Sequence, residues 1–273
     1  MSQPPTPQPP STAPSSPSPG GGPPRKTLAL GGLIAVILGV LVAFGVLRGR
    51  REAPVPPPAP APPAAADAGR DAGPPPELAG SDPRVRQLVG LLSPLPELGQ
   101  WLASTEDLVR RFATAVANLA EGESPRAALS FLAPPGSFQV VTRQGRTYVD
   151  PASYARYDTV ARVITSLQTD TSVLTYRALK PLVDAAYQEI SRPGQSFDET
   201  LATALKRLID TPVPEGELEV VDTPGVNYTL AAPELEQLTA AQKHLLRMGP
   251  ANARAVQAKL RELREALALP AAP

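Results

Sequence analysis

The chain contains no cysteine and one histidine, His244. This excludes disulfides, iron–sulfur clusters, thiolate zinc sites, cysteine nucleophiles and multi-histidine metal centres. No cofactor is expected. Aromatic residues are scarce, at 4% of 273 residues, and all but Phe44 lie beyond residue 80. Neither sign of charge prevails, because 26 Lys and Arg oppose 26 Asp and Glu. Beyond residue 80 the balance is slightly acidic. A broad electrostatic grip on nucleic acid is therefore not expected. Also absent are a glycine-rich phosphate loop, a G-x-S-x-G elbow and an H-E-x-x-H helix.

Proline is abundant and unevenly placed: 20 of the 36 Pro and 11 of the 20 Gly fall within the first 80 residues. Residues 1–26 are rich in Pro and Ser, without apolar periodicity. Such a tail cannot bury enough surface to offset the entropy of ordering it. From Leu28 to Leu47 there are 20 residues without a charge, enough for a helix across the ~30 Å hydrocarbon core of a bilayer. A cleaved signal peptide fits less well. Its apolar region would be about 7–15 residues with a small-residue site close behind. Here Arg48, Arg50 and Arg51 follow, and the first such site is Ala64–Ala66. The reading is a single transmembrane helix within residues 27–47, with the lipid bilayer as its partner. Gly31, Ala35, Gly39 and Ala43 recur every four residues, a stripe that would let two such helices approach closely. Residues 48–80 form a Pro/Ala-rich linker, extended in its proline-dense part. Arg25 and Lys26 on one side nearly balance the three arginines on the other, so the flanking charges do not fix orientation. The spacer favours a domain lifted off the outer surface.

Residues 81–269 read as one α+β domain, mostly α: a helical domain with two short β-hairpins, followed by a tail at 270–273. Asp82 and Pro83 open a first helix, which Pro94 and Pro96 are expected to end. A short helical turn carries Trp101 and Leu102. The stretch Ser104 to Asp107 reads as a capping box before a helix with Leu108, Val109, Phe112, Val116 and Leu119 on one face. Ser124 and Pro125 start another short helix. β-Prone runs at 138–142 and 146–149 flank Gln144 and Gly145 as a hairpin. Asp150 caps a helix with Pro151 at its first position, and Tyr154, Tyr157, Ala161, Val163 and Ile164 mark its inner side. A helix over 171–190 contains Pro181, where a kink or break is expected. Ser196 caps the next helix. A second hairpin spans 217–230, and the two hairpins are able to join in one antiparallel sheet. Thr239 and Gln242 cap a helix ending at Gly249, and Pro250 opens the last helix.

The phrases DPASYARYD (150–158), YRALKPLVDAAY (176–187), FDETLATALKRLIDTPVPEG (197–216) and LTAAQKHLLRMGPANARAVQAKLREL (238–263) resemble the bacterial family catalogued as domain of unknown function 3014. The likeness extends over about residues 81–268. It implies a proteobacterial setting and the same plan of membrane helix, Pro/Ala linker and domain. It brings no catalytic residues.

The most distinctive candidate is the corner where one helix stops at Gly249 and the next begins at Pro250. Arg247, Gly249, Asn252 and Arg254 gather there, and exposed N–H groups at a helix start favour an anion or a partner's carboxylate. The corner partly matches a DNA-binding helical hairpin, but Arg247 stands where that element needs glycine. The alternative is a packed corner with solvated arginines. His244, with no second ligand in the sequence, reads as a boundary residue. Tyr154 and Tyr157 share a helical face and, with Arg156 and Arg162, form either a peptide or sugar groove or core aromatics with hydroxyls at the rim. Asp158, Asp184, Asp198 and Glu199 are candidate carboxylates for glycan hydrolysis, without a spacing that pairs them. The expectation is a non-enzymatic binding or scaffolding module of the cell envelope. It would be anchored in the bacterial inner membrane with a periplasmic C-terminal domain and an envelope protein or polymer as partner. The alternative is an envelope enzyme acting on peptidoglycan or another polymer.

Overall fold

The computed structural model describes residues 77–224 and 227–272. The tail, the Leu28–Leu47 span with its Gly31–Ala43 stripe, and nearly all of the linker lie outside these residues. No helix among the described residues is long and apolar enough to cross a membrane.

The described chain is mostly helical with one small antiparallel sheet. Its helices are α1 (Asp82–Val89), α2 (Pro96–Ala103), α3 (Leu108–Glu121), α4 (Pro151–Ala155), α5 (Asp158–Thr165), α6 (Thr169–Gln188), α7 (Phe197–Ile209), α8 (Pro233–Glu236), α9 (Ala240–Leu246) and α10 (Pro250–Leu267). The strands are β1 (Val140–Arg143), β2 (Arg146–Val149), β3 (Glu219–Thr223) and β4 (Asn227–Leu230).

The main core lies among α3, α6, α7 and α10. Helix α3 packs on α6 and α7, and α10 packs on the same two and on α5. Phe197, 1% exposed, sits at its centre. Its ring lies 5.5 Å from Phe112 and 5.4 Å from Tyr187, centroid to centroid. These tilted and edge-on contacts suit the opposite charges of ring face and ring edge. Gly122 ends α3 at φ 83°, with Glu123 N–H donating to Asn118 O at 2.7 Å and Gly122 N–H to Leu119 O at 3.1 Å. Only glycine takes that left-handed turn without steric cost.

The two hairpins do join, in the order β1-β2-β3-β4, with Thr147 opposite Val220. Gln144 (φ 51°) and Gly145 (φ 76°) both adopt positive φ, the backbone of a tight turn matching strand twist. Val149 and Val220 face a second, smaller core with Leu218, Leu235 and Leu246. Helices α8 and α9 therefore underlie the sheet and connect it to α10.

Several local expectations are corrected. Pro96 opens α2 rather than closing α1, because a helix start needs no N–H from its first residue. The Ser104 capping box does not form. Asp107 occupies the N-cap position of α3 in a left-handed conformation, and Ser104 Oγ turns back to Trp101 O at 3.2 Å. The segment after Pro125 forms turns and a 3-10 turn at Ser130–Leu132 rather than an α-helix. The helix expected after Asp150 is two, α4 and α5, divided at Arg156 and Tyr157. Pro181 neither ends nor interrupts α6, since packed residues on both sides (Tyr176, Leu179, Val183, Tyr187) hold the helix through it. Ser196 precedes α7 but makes no capping bond. Asp150 and the Thr239–Gln242 pair do cap, as their sequence positions indicate.

Candidate functional site

The four corner residues take separate roles. Gly249 is buried at φ 82°, and a Cβ there would meet Tyr154 Cγ at 2.6 Å. It is the point where α10 passes over the Tyr154 ring. Asn252 Nδ2 donates to Asp158 Oδ1 (2.8 Å) and Met248 O (3.1 Å), tying α10 to α5. Arg254 points the other way, toward Pro214 O at 3.1 Å and Glu215 at 3.9 Å. The side chain of Arg247, the residue that follows α9, makes no hydrogen bond or ion pair with any described residue, although it is half-buried.

What surrounds Arg247 comes from distant parts of the chain. Arg126, half-buried after α3, also has no side-chain partner among the described residues. Arg156, at the α4–α5 junction, lies with Cζ 5.7 Å from the Tyr157 ring centroid. It donates from Nη1 to Gly136 O at 3.2 Å, while its buried Nε has no partner. Tyr157 is 4% exposed. Burial raises its pKa above the usual phenol value, and the nearby charges of Arg156, Arg247 and Arg126 pull it back. Burial lowers the Arg247 pKa, and repulsion from Arg126 adds to this against the opposing influence of Tyr157 and Glu236. A guanidinium stays charged regardless. The shift thus reflects partial burial of a cation beside a second one.

Glu236 is the acid nearest in influence to Arg247, but both its oxygens are taken. Oε1 accepts from Lys243 Nζ at 2.7 Å and Oε2 from Leu230 N–H at 2.8 Å. His244 is not a boundary residue: it is 7% exposed, with Nε2 2.9 Å from Ser124 Oγ. Burial, then Arg247 and Arg126, push its pKa down to about 4, so at neutral pH the imidazole adds no charge. The charges of Arg126, Arg156 and Arg247 thus all act on Tyr157, and Glu236, the acid that acts on Arg247, is already paired with Lys243. Arg162, expected beside the tyrosines, instead reaches Thr159 at 3.1 Å and Glu97 at 3.8 Å.

The sequence model of a family described as "Protein of unknown function (DUF3014)" matches residues 108–264. The chain belongs to this family. No curated protein and no solved structure matches it. The matched segment of this DUF3014 chain starts at the first residue of α3 and contains Arg126, Arg156, Tyr157, His244 and Arg247; α1 and α2 precede it.

The candidate carboxylates of the DUF3014 domain are arranged differently. Lys180 Nζ bonds both oxygens of Asp184, at 2.5 and 2.6 Å, and stands 3.6 Å from Asp198. Tyr176 donates its hydroxyl proton to Asp198. Both acids are thus paired with one ammonium. Asp158 is held by Asn252 elsewhere, and Glu199 lines a cleft of about 520 Å³ with Tyr187 and Thr200. A second cleft, of about 540 Å³, carries Arg86 and Arg111. Both are already satisfied by backbone carbonyls of 102, 105, 106 and 128. Among the described residues no group of three or more His, Asp or Glu could hold a metal ion.

Arg156 was a candidate from the sequence, through its place beside Tyr154 and Tyr157, whereas Arg126, with Glu123 three residues before it, gave no sequence signal.

Proposed function

We propose that this chain is a membrane-tethered, non-enzymatic binding or scaffolding module of the bacterial cell envelope. Residues 28–47 anchor it in the inner membrane, the linker spaces it, and the C-terminal domain acts on the periplasmic side. Recognition occurs at the Arg126–Arg156–Arg247 corner. The observation that carries this reading is the half-burial of Arg126 and Arg247 without a side-chain ion pair to any described residue. A fold seldom strands such charges unless something else pairs with them. A tether that raises local concentration without fixing orientation suits a binding module. Close approach of two anchors along Gly31, Ala35, Gly39 and Ala43 would present two such corners together. The enzymatic alternative, peptidoglycan or another polymer cleaved through carboxylates, draws no support from Asp184 and Asp198, which share Lys180.

The test has two arms. Protease added to intact spheroplasts should digest the C-terminal domain while a cytoplasmic control survives; protection would place the domain on the other side. A photocrosslinker at exposed Glu123 should then trap a partner, and the adduct should vanish in Arg247→Gln. An adduct unaffected by that substitution would remove the corner from the reading.

A further inference from the structure

We infer that the cleft between α3 and α7 is a docking groove for the chain's own linker, taking the Pro/Ala run at residues 57–66 (PPAPAPPAAA) beside the C-terminal tail.

The cleft has a volume of about 520 Å³ and is lined by Ala117, Ala120, Tyr187, Thr203 and Ala271, among others. Ala271 belongs to the tail. Helix α10 ends at Leu267, the chain turns at Ala268 (φ 49°), Leu269 packs against the main core, and Ala271 reaches the cleft. A left-handed alanine is costly, and the packing of Leu269 holds the turn in place. The fold thus already brings one Pro/Ala segment to the cleft, Pro270-Ala271-Ala272. The same three residues recur at Pro63-Ala64-Ala65. The volume that stays open beside the tail falls within the ~300–1,000 Å³ typical of ligand sites.

The chemistry of the walls suits that run. Thr200 donates to Ser196 O at 3.0 Å and accepts from the Tyr187 hydroxyl at 2.6 Å, and Thr203 donates to Glu199 O at 2.9 Å. These hydroxyls are engaged within the fold, so an occupant rich in N–H groups would bury donors without partners. Pro57, Pro58, Pro60, Pro62 and Pro63 carry no N–H. Their carbonyls stay free in polyproline II. Gln195, whose Oε1 accepts from Arg192 N–H at 2.9 Å, keeps its amide nitrogen to donate to one of them. Glu121 and Glu199 are exposed at the rim and turn away an acidic chain, whereas residues 57–66 carry no charge. Small side chains at Ala117 and Ala120 leave room for proline rings.

The linker is delivered within reach. It ends where Leu78 joins the main core and Asp82 caps the first turn of α3. The cleft lies at the last turn of the same 14-residue helix, about 20 Å away. Residues 67–76 span up to about 31 Å when extended, so residue 66 and those before it arrive with slack. For a chain anchored through residues 28–47, docking leaves residues 48–56, about 28 Å of tether, between bilayer and domain, and release restores about 90 Å. The groove thereby sets how far the domain stands from its anchor.

The experiment uses the full chain in neutral detergent micelles. The chain has no cysteine, so one introduced pair reports one contact. Ala61→Cys is combined with Thr203→Cys, in the cleft, and separately with Glu234→Cys, exposed on α8 beneath the sheet. Disulfide formation with copper–phenanthroline as oxidant is timed, in mixtures of light and heavy isotope-labelled chains, so that mass separates bonds within a chain from bonds between chains. Within one chain, the Thr203 pair should close at least about tenfold faster than the Glu234 pair. That advantage should vanish in Ala117→Lys, which fills the groove from α3. It should also vanish when residues 57–66 are replaced by Gly and Ser at equal length, which keeps the reach and removes the polyproline II preference.

Equal rates at the two positions overturn the inference. So does a fast bond that the Gly/Ser linker retains, which reach alone explains, and so does a bond confined to different chains, which makes the occupant a second copy. If Ala117→Lys fails to fold, the Gly/Ser linker decides, because it leaves the domain unaltered.

Discussion

The Asp82 carboxylate accepts from the backbone N–H groups of Asp107 (2.8 Å) and Leu108 (3.0 Å), so the first residue of α1 caps α3. A carboxylate at a helix start satisfies orphan donors and opposes the positive end of the dipole. Arg86, one turn along α1, stands 3.6 Å from the same carboxylate.

Asp82→Ala should therefore lower stability by about 1–2 kcal/mol, and Asp82→Asn by less. Urea denaturation followed by circular dichroism measures both. An unchanged midpoint for the alanine variant would show that the cap contributes nothing.

Gly249→Ala should be among the costliest single-methyl additions in the domain. The new Cβ would stand 2.6 Å from Tyr154 Cγ in a backbone at φ 82°. Strain and overpacking together predict a loss of roughly 2–4 kcal/mol. Adding Tyr154→Ala should relieve the part of the clash made by the ring, leaving the 2.8 Å contact with its Cβ and the backbone cost. A double-mutant cycle therefore reads coupling between the two sites. Strictly additive losses would contradict the contact.

His244 ties stability to pH. Its pKa is about 4 in the fold against 6.5 for the free side chain. Between these values the unfolded chain binds more protons, so unfolding is promoted as pH falls. The stability from the neutral imidazole is complete above about pH 6.5 and lost as pH falls toward 4, with a ceiling of about 3 kcal/mol. His244→Gln should flatten the stability profile across that window relative to the parent. Parallel profiles would refute the assignment.

Gln257, 5% exposed on α10, gathers the end of α7. Its Nε2 donates to the carbonyls of Leu208, Ile209 and Thr211 at 3.0, 3.1 and 2.8 Å. Gln257→Leu conserves much of the volume but strands these acceptors, predicting a loss of roughly 1–3 kcal/mol. Calorimetric unfolding of the variant would show no drop in Tm if water takes over the bonds.

Much of the architecture was legible because its signals are local. Gln144 and Gly145 between β-prone runs encode their own turn, Asp150 with Pro151 encodes a helix start, and Thr239 with Gln242 encodes a capping box. Ser104 misled because its spacing to Asp107 is right while the chain there is bent by a distant acid, Asp82. The split at Arg156 and Tyr157 escaped because the apolar spacing carries through it; the turn is set by burial of Tyr157 beside Arg156. Arg247 was visible as a candidate by its place at a helix corner. Arg156 was visible only through its place beside Tyr154 and Tyr157, and Arg126 not at all, since nothing near it in sequence marks the contact of Ser124 with His244.

The sequence by itself determined most of the helices and both hairpins, several of their ends, and that chemistry by thiols or clustered histidines is closed to this chain. Those properties follow from composition and from periodicities that act over a few residues. Tertiary structure alone decided which charges are paired. Asp82 went to α3, Lys180 to Asp198 as well as Asp184, and Arg110 to Glu189, 79 positions apart in the chain. Pairing of charge depends on distance and burial in three dimensions, and neither is written in the spacing of residues along the chain.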